Sequence, residues 1–363
     1  MKIEEIELKH ISIPLKKPFK TALRTVETAE NTVVLIHTDD GQTGYGEAPP
    51  TKVITGDTNE STIAAIRSSI RPALLGKDIA NLEEIQDALQ TATDRDFSAK
   101  AAVDMAVYDL ASKRLGVPLY QYLGGYGNQV ETDLTISINE PEEMEADAVA
   151  AAEQGFSALK LKVGIDSEKD VRRVACIRRA VGDKMKIRLD ANQGWEVDEA
   201  IRTITRLEDL GLDIELVEQP VKARDFEGLK RVKDNVNTVI MADESLFSPR
   251  DALDLLQMQA ADLLNIKLMK CGGIYNALKI AAIAETYGVE CMLGSMVESK
   301  ISLTAAAHLA AAKKIITRVD LDAAILLAED PVMGGFEKEI PWFTLTEAPG
   351  LGITGVRGLT EIE

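Results

Sequence analysis

Five short runs between Ser157 and Met269 decide the fold: SALKLKV (157–163), KIRLDAN (186–192), IELVEQP (214–220), TVIMADE (238–244) and LLNIKLM (263–269). Each is apolar or β-branched for a few residues and then meets a charge, and the stretches between them carry apolar residues at helical spacing. Outward from this block the same alternation continues. TDLTISI (132–138) precedes it, and ECMLGSM (290–296) and ITRVDLD (316–322) follow. Eight strands alternating with helices, with no evident edge strand and no second composition, predict a parallel α/β barrel rather than an open sheet.

Residues 1–125 read differently. IELKHISIPL (6–15) and TVVLIHT (32–38) have period two, whereas STIAAIRSSIRPALL (61–75) and NLEEIQDALQ (81–90) are helical, so this part is expected to be an α+β domain. Ser98–Leu115 reads as a helix with Ser98 at its N-cap and Gly116 and Pro118 at its stop, and its small residues suggest close packing against another layer. The turn-rich stretch 124–128 marks the boundary, with the barrel over 126–324. The Gly- and Pro-rich tail 325–363, with no eighth helix visible after Asp322, is expected to fold back and complete the first domain.

The bulk numbers narrow the partners. A formal net charge of −18 and a pI near 4.8 oppose a nucleic acid or an anionic membrane surface as partner, so the ligand should be small. The acidic start MKIEEIELKH and the lack of a long apolar run lead to an expected cytoplasmic location. Cys176, Cys271 and Cys291 lack metal or disulfide spacing, and His10, His37 and His308 lack a partner pattern; all six read as structural. Gly272 and Gly273 could cradle a phosphate, but a helix-start turn is the preferred reading.

The strand ends carry Lys162, Asp190, Glu218, Asp243, Lys267 and Asp320, and the first five are 28, 28, 25 and 24 residues apart, one β/α unit each. In a parallel barrel these ends share one mouth, where active sites of such folds lie. Three carboxylates there need a cation, and oxygen ligands select a hard one, so Asp190, Glu218 and Asp243 are expected to hold Mg²⁺, with Mn²⁺ as a substitute. Lys162 and Lys267, from the flanking strands, should face each other across the substrate as acid/base groups for a carbon acid beside a carboxylate, whose charge a metal would stabilise. Lys160 is expected to act as a like charge that depresses the pKa of Lys162, and it reads either as a counter-ion or as a substrate contact.

KLK at 160–162, DAN at 190–192, EQP at 218–220, DES at 243–245 and NIK at 265–267, with GYGEA at 44–48 and AVYDL at 106–110, resemble the muconate lactonizing enzyme subgroup of the enolase superfamily over nearly the whole chain. That resemblance implies an α+β capping domain over a (β/α)₇β barrel, two lysine catalysts, one Mg²⁺ and a homo-oligomer. Asn192 and Glu244, inside those motifs, would support the metal ligands. Within the subgroup the chain is similar to dipeptide epimerases of the L-Ala-D/L-Glu type, because Asp320 and Asp322 on one strand face would dock a free ammonium group. The family reading adds Thr135, Ser295, Met296 and Glu298 beside a dipeptide and makes Phe19–Thr25 a mobile loop whose Arg24 reaches a substrate side chain. The alternatives are an N-succinylamino acid racemase, an o-succinylbenzoate synthase or a cycloisomerase of the same subgroup, and, in another class, a peptide-binding protein without catalysis.

Overall fold

The computed structural model describes residues 1–21 and 23–362. Its first sheet is antiparallel: β1 (Ile3–Lys20), β2 (Thr25–Thr38) and β3 (Thr43–Ala48) lie in that order, with β1 and β2 joined as one long hairpin. The helix Phe97–Leu115 lies across this sheet and is buried from Ser98 to Ser112. Its alanines let the backbones come very close, and β3 answers with glycine: a Cβ on Gly46 would stand 1.8 Å from the carbonyl of Ala102, and one on Gly44 2.3 Å from that of Ala106. The expected stop at Gly116 is present, in the left-handed conformation, but the expected N-cap is not. Asp96, at φ 58°, occupies that position, and Ser98 sits inside the first turn, where its N–H donates to Asp57 Oδ2 at 3.0 Å.

After β4 (Gln129–Glu131) the barrel runs through β5 (Leu134–Ile136), β6 (Ala158–Lys162), β7 (Lys186–Asp190), β8 (Ile214–Glu218), β9 (Val239–Ala242), β10 (Leu263–Ile266), β11 (Cys291–Gly294) and β12 (Ile316–Asp320). All eight are parallel neighbours in chain order. A helix of eight residues or more follows each of the first seven; β12 is followed only by the turn Ala323–Leu326, which is the (β/α)₇β pattern. Local chemistry starts several of these helices, as where Asp166, Asp225, Ser248 and Ser299 each accept a first-turn N–H.

β5 and β12 do not form a ladder. The seam between them is crossed by the Asp133 N–H to the Val319 carbonyl, by the Leu321 N–H to Thr132 Oγ1 and by the Thr135 N–H to Asp322 Oδ2 at 2.6 Å. The tail adds β13 (Val332–Gly334), β14 (Glu337–Glu339), β15 (Trp342–Thr344), β16 (Ile353–Val356) and β17 (Thr360–Glu361). β15 pairs with β4 outside the barrel, and β17 pairs with β1 on the edge of the first sheet.

Gly272 and Gly273 form a turn into the helix Ile274–Tyr287, as preferred above, and the helix start is taken by Asp104, whose Oδ2 accepts the Ile274 N–H at 2.5 Å. A carboxylate seated there leaves no place for a phosphate. Among the described residues no helix is long and apolar enough to cross a membrane.

Candidate active site

Strand pairing places the charged strand ends side by side: Lys162 opposite Asp190, and Asp190 opposite Glu218. Because side chains alternate along a strand, Lys160 and Lys162 share the inner face of β6. Lys267 follows β10 as the residue that opens the turn Leu268–Cys271. Gly294 on β11 makes room for it, since a Cβ there would lie 2.7 Å from Asn265 Oδ1 and 3.0 Å from Lys267 Cε.

The lysines and carboxylates interlock. Lys160 Nζ lies 3.1 Å from Asp190 Oδ2, 2.7 Å from Glu218 Oε2 and 2.8 Å from Asp320 Oδ2. Lys162 Nζ shares Asp190 Oδ2 at 2.5 Å, and its ammonium stands 5.8 Å from the centre of the Phe19 ring. Lys267 Nζ donates to Asp243 Oδ2 at 2.8 Å. Lys160, read as a like charge beside Lys162 and either a counter-ion or a substrate contact, is enclosed by three carboxylates, the arrangement of a counter-ion. Burial would lower its pKa, but Asp320, Glu218 and Asp190 outweigh burial and raise it well above the ordinary lysine value. Lys267 moves the same way, because Asp243 and its acidic neighbours outweigh desolvation.

The acids divide according to their partners. Burial would raise Asp190, yet Lys162 and Lys160 bring it down to about 2. Glu218 goes up to about 7, first through burial and then through Asp190, and Glu244 to about 8, through burial and Asp243. Asp320 is held low by Lys160 against burial, while burial and Asp320 together push Asp322 up to about 6.

Among the described residues no three acidic, histidine or cysteine side chains converge on a finished metal site, since the carboxylates are turned onto ammonium groups. The donor set itself fits a hard divalent ion: three fully buried carboxylates from adjacent strands, one of them raised by burial and then by the neighbouring Asp190, which the lysines do not offset. Buried oxygens without hydrogen-bond partners, Asn192 Oδ1, Glu244 Oε2 and Asn265 Oδ1, lie on the residues around them.

Above this layer is a cavity whose wall includes Lys160, Lys162, Lys267, Asn192, Asp320 and Asp322. Arg24, Thr135, Ser295 and Met296 also line it. Glu298 does not: it is turned inward, with Oε1 accepting the Met296 N–H at 2.8 Å and Oε2 the Ser302 hydroxyl at 2.5 Å, and Val297 stands in its place. Glu244 lies behind the wall, bonded to Asn192 Nδ2 at 3.2 Å. Phe19, Val53, Ile54 and Leu326 are among the apolar residues of the lining; apart from Phe19 they carried no signal, being ordinary apolar residues outside the motifs. The sequence reading also missed Lys270, fully buried and 2.5 Å from Asp243 Oδ1, and Asn265, whose amide donates to Glu218 Oε1 at 2.7 Å. Asn265 stood in the NIK motif; Lys270 could have been found one helical turn beyond Lys267.

Residues 4–124 match the mandelate racemase / muconate lactonizing enzyme N-terminal domain, and residues 143–357 match the enolase C-terminal domain-like family. An L-Ala-D/L-Glu epimerase of Clostridium acetobutylicum is 53% identical over 356 residues, 98% of this chain and 99% of that one. The structure of a substrate-liganded complex of the L-Ala-D/L-Glu epimerase from Bacillus subtilis superposes with a TM-score of 0.97 at 54% identity, covering 98% of this chain and 99% of that one. That of a dipeptide epimerase from Enterococcus faecalis, complexed with Mg and L-Leu-L-Tyr, does so with a TM-score of 0.95 at 49% identity, covering 98% and 100%.

Proposed function

This chain belongs to the enolase superfamily, in its mandelate racemase / muconate lactonizing enzyme family, and from that premise we propose that it is a Mg²⁺-dependent dipeptide epimerase, an isomerase inverting the α-carbon of a dipeptide's C-terminal residue. The observation that carries the reading is one cavity with Lys162 and Lys267 entering from separate strand ends and two acids, Asp320 and Asp322, closing its far side.

In this reading the C-terminal residue lies between the two lysines. Lys267 takes the α-proton of the L isomer and Lys162 that of the D isomer, each returning a proton to the face opposite the one its partner deprotonates. Asp190, Glu218 and Asp243 would hold Mg²⁺, which supplies fixed positive charge for the developing enediolate and satisfies carboxylates that otherwise engage the lysines. Asn265 and Lys270 orient Glu218 and Asp243, and Asn192 with Glu244 forms their outer support. Asp320 and Asp322 receive the free ammonium of the first residue, with Thr135 fixing Asp322 and Lys160 fixing Asp320.

Arg24 supports an acidic C-terminal side chain. It lines the cavity, burial lowers its pKa, and the one described hydrogen bond of its guanidinium is a long one to Thr51 Oγ1 at 3.4 Å, without a carboxylate partner among the described residues. The apolar wall of Phe19, Val53, Ile54 and Leu326 favours a second reading, hydrophobic dipeptides. We also propose a cap of residues 1–125 completed by 325–363 over a barrel of 126–324, a division supported by β17 on the edge of β1. The three free cysteines suit the reducing cytoplasm.

The test is proton exchange in deuterated water with Mg²⁺, comparing L-Ala-L-Glu, L-Leu-L-Tyr and N-acetyl-L-Ala-L-Glu. Free dipeptides should be preferred over the acetylated one by roughly 10²-fold or more in kcat/KM, because acylation removes the charge and the donors that Asp320 and Asp322 would receive. Preference for the acylated compound would move the chain to the acylamino acid racemases, and binding without exchange would make it a peptide binder.

A further inference from the structure

The cap and the barrel meet through carboxylates of one that cap helices of the other. Asp104 does this for the helix Ile274–Tyr287. Glu47, at the end of β3, does it for the helix Lys300–Ala312: its Oε1 accepts from Asn31 Nδ2 at 2.6 Å and the Ser299 N–H at 2.8 Å, and its Oε2 from the Ser299 hydroxyl at 2.8 Å and the Ser302 N–H at 3.1 Å. Glu47 is fully buried and pairs with no lysine or arginine among the described residues. Its charge is answered by those four donors and by the positive end of the helix.

Glu47 differs from Asp104 in what flanks the contact. On the cap side the stiff sequence Ala48-Pro49-Pro50 leads directly to Thr51, which holds Arg24, and to Val53 and Ile54 in the cavity wall. On the barrel side Ser295, Met296 and Val297, also in the cavity wall, precede Ser299 with only Glu298 between. Asn31 ties the two further, with its amide also 3.4 Å from the Val297 carbonyl, and Glu298 folds the same segment by bonding Met296 and Ser302. One buried carboxylate therefore joins the two walls between which a substrate side chain would lie.

We infer that Glu47 is a positioning residue that sets the spacing of these walls and so determines which dipeptides are accepted; the specificity part rests on the epimerase reading above. Gln at this position puts an NH₂ group where only donors approach, and the loop Ser295–Ser302 should then move relative to Val53.

The test uses the full-length, Mg²⁺-loaded enzyme. In Glu47→Gln, KM for L-Ala-L-Glu and L-Leu-L-Tyr should rise by roughly tenfold or more and unequally, with kcat within about threefold, the signature of lost substrate positioning rather than lost chemistry. Amide hydrogen exchange should quicken across residues 295–302 and stay unchanged across 274–280. Asp104→Ala should give the reverse exchange pattern and leave the ratio of kcat/KM between the two dipeptides as in wild type. If Glu47→Gln does not fold, Asn31→Ala, which removes one donor and the tie to Val297, should show the same pattern more weakly. Unchanged exchange at 295–302, or an equal shift of the dipeptide ratio in Asp104→Ala, would overturn the proposal. Wild type that turns over neither dipeptide would instead overturn the epimerase reading and the specificity role with it, while the exchange pattern still decides whether Glu47 holds the loop.

Discussion

Lys162 and Lys267 reach the cavity from β6 and from the end of β10, so removing one should not disable the other. Either Lys→Ala substitution should lower epimerisation by roughly 10²- to 10⁴-fold, the range for a lost acid/base group. Their exchange should differ: Lys162→Ala should still wash deuterium into an L,L substrate through Lys267, and Lys267→Ala should not, as followed by the loss of the α-proton NMR signal. Racemisation at the wild-type rate in either variant would dismiss the two-base assignment. These lysines and their three acids were legible in the sequence because a charge ending an apolar strand has few structural uses. For Lys160 the sequence left counter-ion and substrate contact both open, since only the folded barrel brings Asp320, 160 residues away, to within 2.8 Å of it.

The helix Phe97–Leu115 and β3 show the same division at the scale of the element. Small residues in the helix predicted close packing, and GYGE provides the partner surface, with the Ala102 carbonyl in the place of a Gly46 side chain. Gly46→Ala should therefore cost about 1–3 kcal/mol or more, because backbone rather than a flexible side chain must move. Urea titration would measure this, and a variant as stable as wild type would show that the helix can shift away freely. The helix start was misread because the acceptor for the Ser98 N–H, Asp57, is 41 positions away, and local capping rules do not see it. Barrel strands were legible from apolar runs with charged ends. The open seam between β5 and β12 was not, since it is closed by individual bonds to Thr132 and Asp322 that leave no periodic pattern.

For the whole molecule, pH acts also through groups outside the cavity wall. His308 is buried in the helix Lys300–Ala312, where its Nδ1 accepts the Tyr120 N–H at 2.9 Å and its ring stacks on Tyr120. Burial lowers its pKa to about 3. The unfolded chain takes up this proton from about pH 6.5 downward and the native state does not, so stability is lost as pH falls from about 6.5 to 3, by up to about 3–5 kcal/mol. Asp104 works in the opposite sense: burial raises it to about 7, so its contribution is largest below its unfolded value and fades as pH rises through about 7. His308→Asn, which keeps an acceptor for Tyr120, should isolate the histidine: the stability difference between wild type and variant should swing against wild type as pH falls from 6.5 to 3. A constant difference across that range would show that His308 is not held neutral.

Glu47, Asp104 and Asp109 precede their backbone partners Ser299, Ile274 and Leu351 by 252, 170 and 242 residues, and β17, which pairs with Lys9 and His10 on the edge of β1, follows the whole barrel. During synthesis the sheet of β1, β2 and β3 therefore precedes these backbone partners by a long way, and the three acids have at first only donors of their own domain, Asn31 for Glu47, Gln86 for Asp104 and Lys113 for Asp109. On the ribosome the cap would thus stand with the Lys9–His10 stretch of its sheet edge unpaired until β17 emerges behind the barrel.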